Sequence, residues 1–180
     1  MSKSGFAVLT ACIALGFTCL FATSTMATSV NFYTIGARYH TTHTHFDALP
    51  FRNGDLTYQA GVEFHEGIGF WQIIGGYTPS IKTVADFEGP EIDYVFTPQL
   101  NLILQDQGWL AGTGVLASYI KDETESDWTK LYWQALIGYQ FRLQHFTLDI
   151  MAIYSFDRWS NISDFQFGDL EFSGMLKRRF

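Results

Sequence analysis

The chain has 180 residues, a formal net charge of −7 and an aromatic fraction of 17%. The acidic balance, without any basic run, argues against nucleic acid as a partner. No segment after the first 27 residues has the roughly 18 uninterrupted apolar residues that a transmembrane helix needs. Abundant apolar side chains without a long apolar run are typical of a membrane β-barrel.

Residues 1–27 are predicted to be a secretory signal peptide, because Lys3 precedes an apolar run that ends in small residues suited to cleavage. Both cysteines of the sequence, Cys12 and Cys19, lie in this segment. The remaining residues, 28–180, are therefore expected to use no disulfide. Their number suits a single domain.

Eight segments alternate apolar and polar side chains with the period of two that a β-strand requires. They are predicted at 30–40, 56–65, 68–78, 92–105, 109–120, 131–142, 146–156 and 165–180. Their connections are alternately long and short along the chain. Outer-membrane barrels show this asymmetry, with long loops outside the cell and short turns in the periplasm.

Some of these segments depart from a regular strand. Pro98 lies inside the fourth segment and has no N–H for the ladder, so a bulge or local opening is expected there. The third segment contains several glycines, and its facing is ambiguous. In the seventh segment, Tyr154 and Phe156 are predicted to face outward together with Leu148 and Ile150.

The last segment alternates cleanly and ends the chain at Phe180. A terminal strand exposes an edge that invites aggregation unless another strand pairs with it. The first strand is the expected partner, and this pairing closes the sheet into a barrel. A terminal phenylalanine resembles the C-terminal signal that marks bacterial outer-membrane barrels for assembly, although Arg178 stands where that signal usually has an apolar residue.

In its alternation, loop asymmetry and last residue, the chain resembles the small outer-membrane barrels of the OmpA/OmpX type. The resemblance implies an all-β fold, namely an eight-stranded antiparallel up-and-down transmembrane β-barrel in the outer membrane of a Gram-negative bacterium. It also implies contact with outer-membrane lipids and lipopolysaccharide, and recognition of Phe180 by the barrel-assembly machinery. A monomer is expected.

The charged side chains of the predicted strands share one face, whereas the other face carries almost only aliphatic and aromatic side chains. The charged set comprises Arg38, Glu63, Asp93, Arg142, Asp149, Asp169, Glu171, Lys177 and Arg179. In a membrane barrel this face lines the lumen, where acids and bases must pair because an unpaired buried charge costs several kcal/mol. The predicted lumen network consists of Arg38, Glu63, Arg142, Asp149, Asp169 and Glu171.

A secreted, lipocalin-like binding calyx has the same number of strands and is the alternative fold. In a soluble calyx the apolar side chains line the interior and the charges face water. An eight-stranded lumen has limited room for so many aromatic rings, which favours the membrane barrel. The two folds predict opposite positions for Ile137 and Asp149.

The densest titratable cluster in the sequence is His40, His43, His45 and Asp47. These residue types suit a zinc ion, but their spacing matches no known zinc motif. Solvated loop histidines explain the cluster equally well. We therefore predict no metal and no cofactor.

An enzymatic alternative comes from the sequence Thr34–Tyr39 and from Gly76–Ser80. In these segments and in its length the chain is similar to the lipid A palmitoyltransferases, which are also eight-stranded barrels. That family places a histidine, an acid and a serine at the outer rim. Here Ser80 fits, but the other two positions hold Gly36 and Pro79, and only a replacement by His40 would supply the imidazole.

The expected function is therefore structural or interactive: anchoring, adhesion or envelope integrity through the outer loops. The alternative function is acyl-chain modification of lipid A, with His40 and Ser80 as candidate catalytic residues. The acidic loop Asp122–Asp127 either binds divalent cations beside lipopolysaccharide phosphates or is simply solvated.

Overall fold

A computed structural model describes residues 30–41, 49–81, 92–122, 125–159 and 165–180, so the predicted signal peptide lies outside the described residues. The strands of this part are β1 (Val30–Tyr39), β2 (Leu56–Glu66), β3 (Gly69–Ile81), β4 (Ile92–Asp106), β5 (Trp109–Leu116), β6 (Tyr119–Asp122), β7 (Ser126–Trp128), β8 (Tyr132–Arg142), β9 (Thr147–Phe156) and β10 (Glu171–Arg179). A single turn of 3-10 helix, Phe167–Asp169, precedes β10.

Eight of these strands form a closed antiparallel barrel. Around the barrel the order is β1, β2, β3, β4, β5, β8, β9 and β10, and β10 pairs again with β1. The prediction of an all-β, eight-stranded antiparallel barrel is confirmed. Strands β6 and β7 form a hairpin that continues the sheet from the edge of β4.

The two ends of the barrel differ. At the turn end, short turns join β2 to β3, β4 to β5, and β8 to β9, and the chain finishes there at Phe180. At the loop end lie the longer connections, including the one that contains β6 and β7. Among the described residues, no helix is long and apolar enough to cross a membrane.

Side chains alternate between the lumen and the outer surface, as the period of a strand dictates. In β4, buried Thr97, Asn101 and Ile103 alternate with the exposed side chains of Leu102 and Leu104. Ile137 and Asp149, for which the membrane barrel and the soluble calyx predict opposite positions, follow the membrane-barrel pattern: Ile137 is 58% exposed and Asp149 is 0% exposed. The apolar face of the sheet therefore looks outward.

One apolar cluster occupies the lumen, which is therefore less uniformly polar than its sequence indicated, and a second buried cluster lies at the loop end of the barrel. One cluster comprises Phe70, Ile74, Ile103, Leu110, Leu136, Met151, Ile153 and Met175. The other, which includes loop residues, comprises Leu49, Phe51, Ile81, Val95, Leu116, Tyr132, Tyr154 and Phe156. Side chains thus fill the interior, as expected for eight strands.

The predicted fifth strand is wrong at its end, because it stops at Leu116 and a new strand, β6, begins at Tyr119. The backbone of Ser118 bonds Thr129 in both directions, which turns this segment away from β8 and toward the β6–β7 hairpin. Part of the predicted acidic loop is therefore strand. On the other side, β4 changes partner from β5 to β6 between Gln99 and Phe96, but Pro98 still pairs with Gly75 and accepts from Ala117 N–H at 3.4 Å, and the register shift of β4 lies between Ile92 and Tyr94.

One further prediction is corrected and another is refined. The last strand begins at Glu171 rather than at residue 165, because the 3-10 turn occupies Phe167–Asp169. Tyr154 and Phe156 keep the outer face that the alternation predicted, since Ser155 between them bonds Arg38 in the lumen, but they are covered and only 4% and 0% exposed. Aromatic rings of the following connection pack against them, with centroid distances of 5.0 Å both from Tyr154 to Phe165 and from Phe156 to Trp159.

Candidate functional site

The buried charges of the lumen form two groups at different heights. We call the first the loop-end cluster; it consists of Arg38, His40, Thr57, Thr78 and Glu171. We call the second the turn-end cluster; it consists of Glu63, His65, Asp149 and Lys177. Because barrel strands run from one end to the other, each cluster joins residues far apart in sequence.

Arg38 is the centre of the loop-end cluster and is 2% exposed. Its guanidinium group donates to the Glu171 carboxylate. It also donates to Gln134 Oε1 at 3.0 Å and to Ser155 Oγ at 2.9 Å. The single positive charge is thus held by one acid and by neutral oxygens from two other strands.

His40 completes this cluster from the end of β1 and is 1% exposed. Its Nδ1 lies 2.6 Å from Glu171 Oε1, and its Nε2 lies 2.6 Å from Thr57 Oγ1. The imidazole stacks on the Phe51 ring with a centroid distance of 3.9 Å. Since both ring nitrogens are engaged and the ring is covered, His40 is a lumen residue and not a rim residue.

Lys177 is the centre of the turn-end cluster. Its Nζ lies 2.7 Å from Glu63 Oε2 and 2.6 Å from Asp149 Oδ2. All three side chains are at most 1% exposed. His65 Nε2 lies 2.9 Å from the same Glu63 oxygen. One ammonium group therefore faces two buried carboxylates, with an imidazole at the edge of the group.

Side-chain amides connect the two clusters. Gln72 donates to Glu63 Oε1 at 2.7 Å, and Asn101 donates to Gln72 Oε1 at 2.9 Å. Gln134 donates to Asn101 Oδ1 at 2.5 Å and accepts from Arg38. A continuous chain of hydrogen bonds thus runs from one ion cluster to the other. Such satisfied networks hold buried charges in a single arrangement.

Four of the predicted network residues lie in the two clusters. Arg38 and Glu171 belong to the loop-end cluster, and Glu63 and Asp149 belong to the turn-end cluster. Asp169 is also buried, at 1% exposure, but it lies in the 3-10 turn before β10. Arg142 was predicted to line the lumen and instead lies exposed at the last position of β8, where the barrel opens at its turn end.

Sequence reasoning missed the role of Lys177 as the cation shared by two acids. The signal was present, because Lys177 alternates in phase with Glu171 and Ser173 on β10. The amides Gln72, Asn101 and Gln134 were also missed, since a neutral side chain on a polar face gives no sign of its partner.

Of the proposed metal cluster, His43, His45 and Asp47 lie outside the described residues. Within the ranges that the structure describes, no group of three His, Cys, Asp or Glu side chains is arranged to hold a metal ion. The backbone of Ser80 belongs to β3, whereas its side chain lies outside the description.

Aromatic side chains mark both ends of the outer surface. In β1 and β3 an aromatic residue near the turn end is followed six positions later by one near the loop end, namely Tyr33 and Tyr39, and Trp71 and Tyr77. In β8, where the chain runs the other way, Trp133 near the loop end is followed six positions later by Tyr139 near the turn end. Six residues span about 20 Å along a strand. Two rings of aromatic side chains therefore border an aliphatic band.

The sequence matches no protein-family model and no curated protein. Among solved structures it is similar to Ail, the attachment invasion locus protein of Yersinia pestis, in complex with the heparin analogue sucrose octasulfate. The sequence identity is 14%, the TM-score is 0.36, and the similarity covers 84% of this chain and 97% of the other. The barrel and the contacts in its lumen follow from the strand pairing of this chain itself.

Proposed function

We propose that the chain spans a bacterial outer membrane as a monomeric barrel and serves a structural or surface-interaction role through its loop end. The observation that carries this proposal is the direction of the two faces. Tyr33, Ile35 and Ile137 are 57%, 61% and 58% exposed, whereas Glu63 and Lys177 are 0% and 1% exposed. An apolar surface that surrounds a protein is costly in water and favourable in hydrocarbon.

The aromatic residues at the two ends of the barrel support the same placement. Rings of this kind settle at the boundary between hydrocarbon and headgroups. Because strands of outer-membrane barrels tilt by roughly 35–45°, the separation of these rings, about 20 Å along a strand, corresponds to about 15 Å across the membrane, which fits within the apolar band of about 25 Å that such barrels present. The long connections then lie on the outer side of the membrane, where they are available to lipopolysaccharide and to other partners.

The binding-calyx alternative requires a cavity inside the barrel. Here ion pairs, amides and one apolar cluster occupy the lumen, and a second buried cluster lies at the loop end of the barrel. Two shallow grooves lie on the outer surface instead, lined by outward-facing residues such as Trp109, Leu104 and Ile150. This arrangement favours a closed membrane barrel over a carrier of small ligands.

The lipid A alternative requires His40 at the outer rim together with Ser80. Because His40 is covered by Phe51 and bonded through both ring nitrogens, the geometry gives this alternative no support. Mass spectrometry of lipid A from cells with and without the gene decides the point. We expect identical acylation, and a gained acyl chain that disappears in Ser80→Ala or His40→Ala would contradict the structural role.

The membrane placement is tested by fractionation of expressing bacteria. We expect the protein in the outer membrane, released only by detergent, with different gel mobility before and after boiling because a folded barrel stays compact in cold detergent. Recovery from the periplasm without detergent would contradict the proposal. Recognition of Phe180 by the assembly machinery is part of the same proposal.

A further inference from the structure

We propose that the outer surface of β8, β9 and β10 binds an anionic phospholipid, with an acyl chain in an apolar groove and the phosphate at Arg178. The inference rests on the proposed function, because it needs this surface to face a bilayer. It assigns a role to Arg178, the residue that departs from the usual terminal signal.

The groove is a shallow feature of the outer surface formed by β5, β8, β9 and β10. It has a volume of about 360 Å³, and its walls include Trp109, Ile137, Tyr139 and Phe172. Apart from Gly138, its lining residues are apolar or aromatic. A groove of this composition is suited to a hydrocarbon chain, because each buried methylene contributes about 0.8 kcal/mol relative to water and adds contact with its neighbours.

Small side chains beside the bulky residues of the groove leave a depression in the outer surface. Ala152 pairs with Phe172 and Ile137, and Gly174 pairs with Ile150 and with Ala37 of β1. A Cβ built on Gly174 would meet no atom within 4 Å, so the space outside it is open. A depression thus continues from the groove across β10, between the side chains that precede and follow Gly174 on the outer face.

Arg178 lies below this depression on the outer face of β10, beyond Leu176. It follows Gly174 by four residues on the same face of β10, a distance of about 13 Å along the strand. It is exposed, and none of the ion pairs among the described residues involves it. At the turn end of the barrel this position corresponds to the headgroup level of the inner leaflet.

The charge around the turn end is uneven. Arg142 ends β8 and His145 lies in the turn between β8 and β9, both on the same side of the barrel as Arg178. The acids of this end are Glu66, at the turn between β2 and β3, and Asp106, which pairs with the groove residue Trp109 on the β5 side. A negatively charged headgroup is therefore favoured below β8, β9 and β10, where the cations lie, and disfavoured on the β5 side of the groove.

Native mass spectrometry tests the proposal on the full barrel in nanodiscs of equal phosphatidylglycerol and phosphatidylcholine. The wild-type protein should retain phosphatidylglycerol preferentially. Arg178→Leu should reduce that retention roughly fivefold, the factor that corresponds to about 1 kcal/mol for one basic residue at a membrane surface. Gly174→Leu, which fills the open space, should reduce retention of both lipids.

Matched controls carry the same changes elsewhere. Arg179→Leu removes the next charge, which points to the other face of β10, and Gly168→Leu adds a leucine at another glycine with open space around it. Both should retain phosphatidylglycerol as the wild type does. Equal losses in Arg178→Leu and Arg179→Leu, or no loss in Arg178→Leu, would overturn the site.

The difference in gel mobility before and after boiling, recorded for every variant, separates this site from the proposed function. A barrel that inserts but retains neither lipid preferentially contradicts the phospholipid site alone. A chain that does not insert contradicts both. If Arg178→Leu only changes the yield of assembled barrel in cells and leaves phosphatidylglycerol retention unchanged, Arg178 belongs to the assembly signal and the proposal is wrong.

Discussion

Lys177 decides the stability of the turn-end cluster, because it is the cation between Glu63 and Asp149. Lys177→Met leaves two buried carboxylates close together without a counter-charge. We expect the free energy of unfolding to fall by about 3–5 kcal/mol, as when one partner of a buried ion pair is removed. Urea titration in phospholipid vesicles, followed by tryptophan fluorescence, measures the change.

The matched control is Arg179→Met, which removes an exposed cation of the same strand and should change the free energy of unfolding little. The triple variant Lys177→Met, Glu63→Gln, Asp149→Asn should recover a large part of the loss, since no buried charge remains. A Lys177→Met barrel as stable as the Arg179→Met barrel would show that the cluster does not contribute as described.

At this scale the sequence predicted which charges face the lumen but not which of them meet. Alternation alone puts Lys177, Glu63 and Asp149 on one face. Their meeting depends on β1, which lies between β10 and β2 and places Thr34 opposite both Lys177 and Gly61. These small residues allow the long lysine side chain to cross β1, and this requires the strand register, which periodicity does not supply.

Among the elements, β1 and β10 form the seam that closes the barrel, and two glycines of this seam should respond differently to substitution. A Cβ on Gly36 would lie 2.0 Å from the carbonyl oxygen of Gly174, whereas a Cβ on Gly174 would meet nothing within 4 Å. Gly36→Ala should therefore cost about 1–3 kcal/mol or more through overpacking, and Gly174→Ala should be tolerated.

The fraction of boiling-sensitive, folded barrel after refolding into detergent micelles measures this difference. We expect a clear reduction for Gly36→Ala and a wild-type fraction for Gly174→Ala. Equal folded fractions for both alanine variants would mean that the two strands do not approach each other as closely as the seam requires.

The last residue of the chain offers a second prediction at this scale. The Phe180 ring stacks on Tyr33 with a centroid distance of 4.0 Å, and its N–H donates to the Asn31 carbonyl at 3.1 Å. Because the backbone bond does not depend on the side chain, Phe180→Ala should still refold in vitro. In cells it should assemble poorly if the assembly machinery reads the ring.

Quantification of the protein in purified outer membranes, beside the refolded fraction in vitro, tests this prediction. Phe146→Ala, another exposed phenylalanine at the turn end, is the control and should assemble normally. Equal amounts of the Phe180→Ala and wild-type proteins in the membrane would exclude recognition of the terminal ring.

Element boundaries were predictable where alternation alone determines them and failed where tertiary contacts intervene. The strands around the short turns follow the pattern closely. The end of β5 does not, because Thr129 N–H donates to the Ser118 carbonyl and Ser118 N–H donates to Thr129 Oγ1, and these bonds start a hairpin that competes with a longer strand. Strand β10 begins later than predicted for a similar local reason, since Leu170 N–H donates to the Phe167 carbonyl and closes the 3-10 turn before the strand.

For the whole molecule, the number of strands, their antiparallel order and the outward apolar face all follow from the sequence pattern. The filling of the lumen does not, because the apolar residues Ile74, Ile103 and Met175 point inward among the polar ones. A period of two assigns each residue to a face, but only the closed barrel shows that side chains from opposite strands meet there and that amides link them.

The central claim is that lipid surrounds the outer face. Because residues 28–180 contain no cysteine, single spin labels can be attached without background at Ile35, Leu102, Ile137 and Ile150, and at Glu125 as a solvent-exposed control. In vesicles, the four outward labels should collide frequently with oxygen, which concentrates in lipid, and rarely with a water-soluble nickel chelate, whereas the Glu125 label should do the reverse. Nickel collisions at the four outward positions as frequent as at Glu125 would contradict the account.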